Sequence, residues 1–125
     1  PELACIIDWE LATVGDPLTD LGLMLAFWGP RLVEAPGFDF VQQVTRQGVA
    51  APSRAELAAR WSRVSGIASD DIDYYIVFAL WRLASIVEGA WVLNRKGLVD
   101  SDYSRRLEHD VPSMLQEAAI IAGLR

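Results

Sequence analysis

The 125 residues are 52% hydrophobic and carry a formal net charge of −6, so they can fill a core for one domain, or for one piece of a larger one, and do not read as disordered. The acidic balance argues against nucleic acid or an anionic membrane as the main partner, since both need clustered Lys and Arg, and no apolar run reaches the length of a membrane span. The single cysteine, Cys5, excludes an internal disulfide and fits a reducing, cytoplasmic setting.

The chain opens at Pro1 directly on an apolar run, Leu3 to Ile7, that ends at Asp8. Its length and its two isoleucines predict a buried β-strand. No later segment reads as a partner strand, so the sequence looks cut from a longer one. Gly15-Asp16-Pro17 then marks a turn and a helix start, with Asp16 as the cap and Pro17 in the first turn. The helix runs from about 17 to 28, with Leu18, Leu21, Leu25 and Trp28 on one side, and stops at Gly29-Pro30. A weaker helical candidate spans 37–48. Ser53 and Glu56 have capping-box spacing, followed by Leu57, Trp61 and Val64 on one face and a stop at Gly66. The longest helix is expected over about 70–96, ending at Gly97, and looks like the centre of the domain. A last helical stretch over 101–122 contains Pro112, which predicts a kink or a fresh start near 111. The pattern is mainly α: one short N-terminal strand, then helices.

Chemistry concentrates in residues 6–22. An acid at the end of an apolar strand sits where scaffold meets solvent, and Asp8 is followed within twelve positions by Glu10, Asp16 and Asp20. Clustered carboxylates are costly unless donors or a cation satisfy them, and a hard cation such as Mg²⁺ suits oxygen ligands.

Ile7-Asp8-Trp9-Glu10 followed by Gly15-Asp16-Pro17-x-x-Asp20-Leu21 resembles the second half of the active-site signature of the aminoglycoside phosphotransferase and choline kinase family. The resemblance implies the helical C-lobe of a protein-kinase-like fold, over 1–125 as a partial lobe, with Mg²⁺ and ATP as cofactors of the complete enzyme. It places Asp8 at the metal-binding aspartate and Asp20 at a buried brace that accepts backbone donors of the catalytic loop. The apolar helix with Trp81, Arg82, Gly89 and Arg95 is similar to the branch of that family associated with acyl-CoA dehydrogenases. The implied activity is transfer of phosphate to a small-molecule hydroxyl. Aminoglycosides, choline-like amines, sugars and hydroxyacyl thioesters all fit the same skeleton.

The departures matter as much. The family's His-Gly-Asp-x-x-x-x-Asn loop does not occur in these residues, nor does its nucleotide-binding lobe, so no catalytic base is assigned and the chain alone is expected to be inactive. His109 lies far from any such motif, among charged neighbours that read as a solvent face. Cys5 reads as a small core residue. Glu10 is either a second ligand or a solvated acid. Tyr75 and Trp81, with Tyr74 and Trp91, either line an acceptor pocket or pack in the core. Arg82 either pairs with an acid such as Glu88 or Asp20 or faces a substrate anion. The competing class is a non-catalytic helical module that binds a ligand or protein, with the missing lobe replaced by an oligomer partner over the Leu3–Ile7 edge.

Overall fold

The computed structural model describes residues 4–28, 32–33 and 51–124, and all of the regular structure there is helical. A 3-10 turn at Trp9–Leu11 precedes α1, Leu18–Phe27; α2 is Arg54–Ser65, α3 is Ile72–Arg95, α4 is the short Asp102–Arg106, and a 3-10 turn at Leu107–His109 leads into α5, Asp110–Ile121. The 37–48 helix expected from sequence lies outside the described residues.

The expected N-terminal strand is not there. Residues 4–8 carry no regular structure, and no strand occurs among the described residues. Ile6 is 63% and Ile7 77% exposed. An apolar run becomes a strand only where a second strand takes its backbone donors and acceptors and a neighbouring face covers its side chains. Neither is present among the described residues, so hydrophobicity alone does not fold the segment.

The helix boundaries follow their punctuation. The α1 backbone starts after Pro17, and the Asp16 carboxylate accepts the Leu18 N–H at 3.0 Å. Ser53 and Glu56 form the complete capping box of α2, and Gly66 closes that helix at φ 76°. That left-handed conformation is open to glycine at little cost. Gly97, at φ 69°, follows α3 in the same way. Pro112 does not kink a continuous helix. The chain breaks into a 3-10 turn at 107–109 and starts afresh at Asp110, which puts Pro112 in the first turn of α5, where its missing N–H costs little.

Helix α3, about 36 Å long, is the centre of the molecule. It packs against both α1 and α5, and its buried stripe is Ile76, Ala79, Leu80, Ala84 and Val87. Leu25 of α1, Leu107 of the 3-10 turn and Met114 of α5 complete the fully buried core with Leu80. By length and composition α3 is also apolar enough to cross a membrane, which the sequence reading did not expect of any segment. Helices α1 and α3 approach so closely at Gly22 that a Cβ there would lie 2.6 Å from Tyr75 Cβ and 2.7 Å from Tyr75 backbone atoms.

A polar tie joins three elements. Arg54 Nε donates to the Trp28 carbonyl at 2.9 Å, and Arg54 Nη2 meets Glu117 Oε1 at 3.0 Å. The Trp28 indole N–H donates to the Pro52 carbonyl at 2.7 Å. The end of α1, the start of α2 and the buried Glu117 of α5 are thereby fixed together.

Candidate functional site

The acid-bearing segment runs ahead of α1 as an exposed arm. Asp8 takes φ 72° and ψ 49°, the one left-handed non-glycine among the described residues. Asp tolerates this region better than most residues, yet such conformations persist where neighbours fix them. The neighbour here is Trp9: its indole N–H donates to the Ile6 carbonyl at 2.8 Å, and its own carbonyl accepts the Ala12 N–H at 2.9 Å. The turn leaves the carboxylates of Asp8 and Glu10 open to solvent.

Asp16 is the most engaged acid of the set. Its Oδ1 accepts the Leu18 N–H, its Oδ2 accepts the Tyr75 hydroxyl at 2.6 Å, and its carbonyl accepts the Thr19 N–H at 3.0 Å. The bond from Tyr75, then that from Leu18, holds the Asp16 carboxyl below the usual carboxylate range. The same bond, with partial desolvation and the adjacent negative charge, pushes the Tyr75 hydroxyl above its ordinary value. The sequence marks Asp16 as a cap; its second partner, 59 residues away, carries no local signal.

The remaining site residues fall into two places. Asp20 is exposed in the first turn of α1, where a negative charge suits the helix dipole, and no backbone donor among the described residues reaches it. Tyr75 is taken up by Asp16. Trp81 and Arg82 lie on the exposed side of α3: Trp81 is 56% exposed and stacks on Phe78 at 6.0 Å, and the Arg82 guanidinium lies 5.6 Å over the same ring. Arg82 has no acidic partner among the described residues, so the cation–π contact is what holds it. Trp81, Phe78 and Tyr74 line one wall of an apolar groove of about 340 Å³, with Leu115, Ala118 and Leu124 on the other. Cys5 is exposed rather than a core residue, because the strand that would have buried it does not form. His109 is exposed at the end of its 3-10 turn, and the Arg95 guanidinium sits 5.8 Å over the Trp91 ring.

No group of three or more His, Cys, Asp or Glu side chains converges as a metal cage among the described residues. That leaves room for the way Mg²⁺ is commonly held, by one or two carboxylates with substrate phosphates supplying other ligands. The exposed Asp8 carboxylate on its fixed turn fits that pattern.

Comparison with known proteins agrees at a coarse level. The model of a phosphotransferase enzyme family matches residues 1–59, which include Asp8, Glu10, Asp16 and Asp20. Acyl-CoA dehydrogenase family member 10 of Mus musculus is 27% identical over 129 aligned positions, covering 99% of this chain and 12% of the relative. Acyl-CoA dehydrogenase family member 11 is similar too: 30% identical over 89 positions in Homo sapiens and 29% over 91 in Pongo abelii, each covering 69% of this chain and 11% of the relative. The chain thus spans about an eighth or less of the curated relatives it matches. No solved structure matches it significantly. The family-model match shows a likeness to phosphotransferases at the level of a superfamily.

Proposed function

We infer that this chain is the helical portion of a Mg·ATP-dependent phosphotransferase that phosphorylates a hydroxyl group on a small molecule. The observation that carries the reading is the Asp8 turn: a solvent-facing carboxylate in a fixed left-handed conformation, inside the segment that resembles a phosphotransferase signature. In this reading Asp8 would hold the metal, with Glu10 near enough in sequence to assist. The ion would neutralise charge on the transferring phosphate. Asp8 contributes a ligand whose geometry is set before substrate arrives, and the Trp9–Ile6 bond keeps that geometry. The base and the second metal ligand belong to a loop these residues do not contain, so the complete protein is the unit of activity. ATP as substrate and a single cysteine, which can form no internal disulfide, suit a cytoplasmic setting.

The test is Mg²⁺-dependent ATP turnover by the full-length protein against a panel of hydroxyl acceptors, with Asp8→Ala alongside. We expect Asp8→Ala to cut turnover by at least a hundredfold without changing the helical content. Full activity in Asp8→Ala would remove the basis of the reading.

One observation favours the alternative, a non-catalytic binding module. The groove between α3 and α5 is apolar on both walls and open, and it does not involve the acid segment. On that reading Trp81 and Arg82 would contact a ligand or protein partner while Asp8 did no chemistry. Retention of ligand binding by an Asp8→Ala protein that shows no ATP turnover in either form would select it.

A further inference from the structure

We propose that Tyr75 is a positioning residue for the Asp8 carboxylate, holding the acid-bearing segment to α3 through Asp16; the metal role of Asp8 in this statement rests on the phosphotransferase reading above. Little else among the described residues secures the segment. Every described side chain from residue 4 to residue 17 is exposed, and none joins the core. The hydrogen bonds within it are local: Trp9 to Ile6, Ala12 to Trp9, and the Asp16 cap on Leu18 and Thr19. Among the described residues, the one long-range polar contact of the segment is the Tyr75 hydroxyl on Asp16 Oδ2, at 2.6 Å. It is a short O–H···O⁻ bond to a charged acceptor, the stronger kind.

Tyr75 suits this task because its own base is immobile. Its Cβ and backbone lie against Gly22 at the crossing of α1 and α3, closely enough that no side chain fits between them. The next residue, Ile76, is buried in the core. The ring therefore spans from a fixed helix crossing to Asp16, six positions ahead of Gly22. With Asp16 pinned to α3, the direction in which the chain leaves α1 is set. The path back to Asp8 is then short and partly closed by the 3-10 turn at Trp9–Leu11. Without the bond, Asp16 still caps α1, but the arm ahead of it can swing.

Tyr75→Phe isolates the bond, since it keeps the ring against Gly22 and removes only the hydroxyl. In the full-length protein we expect the distance distribution between spin labels placed at the exposed Val14 and Glu88 to broaden about twofold, while that between labels at Glu88 and Gln116 is unchanged. The half-saturating Mg²⁺ for ATP turnover should rise about tenfold, with kcat less affected, because the ligand is displaced rather than lost. In an Asp16→Ala background, Tyr75→Phe should have no further effect on either readout. An unchanged Val14–Glu88 distribution, or an effect that persists in full without Asp16, would overturn the proposal. An ATP turnover indifferent to Asp8→Ala would instead sink the phosphotransferase reading, and a broadened Val14–Glu88 distribution in Tyr75→Phe would still establish that Tyr75 holds the segment.

Discussion

The crossing of α1 and α3 gives the sharpest test of the packing, because two glycines in the same fold should respond oppositely to one chemical change. Gly22 sits where a Cβ would fall 2.6 Å from Tyr75 Cβ and 2.7 Å from its carbonyl carbon and oxygen. An ordinary contact is nearer 3.5–4.0 Å, so the helices must part by about 1 Å, and the obstruction is largely backbone that no rotamer change can move. Overpacking of this kind costs about 1–3 kcal/mol, and the obstruction by backbone places Gly22→Ala towards the upper end. The substitution also recovers about 1 kcal/mol of helix propensity, leaving a net loss of about 1–2 kcal/mol. Gly89, in the exposed side of α3, has nothing within 4 Å of the same added atom. There only the propensity gain remains, so Gly89→Ala should stabilise by about 0.5–1 kcal/mol. Thermal melts followed by circular dichroism would read these as a Tm lowered by about 4–8 °C for Gly22→Ala and raised by about 2–4 °C for Gly89→Ala. If Gly22→Ala melts at or above the parent, the helices do not cross at Tyr75 and the account of the α1–α3 interface is wrong.

The Asp16–Tyr75 bond makes a prediction about pH. Asp16 has a depressed folded pKa, so its contribution to stability is present above the ordinary carboxylate range and is lost as pH falls through the lowered value; Tyr75 is raised, so its contribution is present below the ordinary tyrosine range and is lost as pH rises through the higher value. Tyr75→Phe should therefore remove part of the destabilisation at both extremes, and the phenolate absorbance that this substitution deletes should develop above the ordinary tyrosine range. Its appearance within the ordinary range would refute the bond. The Arg54–Glu117 pair predicts that Arg54→Met, which removes one of the donors around the buried Glu117 carboxylate, costs about 1–3 kcal/mol in urea unfolding, and that adding Glu117→Gln recovers part of that loss. A cost below about 0.5 kcal/mol would mean that the pair is in practice solvated like a surface bridge.

What the sequence reveals and what it hides divide along the range of the interactions. Helix ends at Ser53, Gly66 and Gly97 are decided by the residue itself and its near neighbours, so capping chemistry reads them directly. The dominance of α3 follows from its length and apolar content. The segment 3–7 misleads because a strand is a property of two chains, and one apolar run carries no information about whether its partner exists. Tyr75 reads from sequence as a pocket or core residue and Arg54 as no site at all, and the bonds they make are hidden for a related reason. Each is defined by a contact tens of residues away: Asp16 for one, Glu117 and Trp28 for the other. Glu117 leaves a trace, as the one charged residue between Met114 and Ile121, and a buried partner for it could be sought on that ground.

The core of α1, α3 and α5 closes without any described side chain from residues 4–16. Stability and proposed chemistry are therefore carried by different parts of the chain. Asp8 is exposed and makes no cap bond, and its left-handed backbone is held locally, by the Trp9 indole on the Ile6 carbonyl. On the proposed reading that carboxylate would meet a metal-bound phosphate from the solvent side, and none of the residues lining the α3 groove belongs to the arm. A substitution at Asp8 should for that reason leave the melting transition in place while changing what the complete protein does.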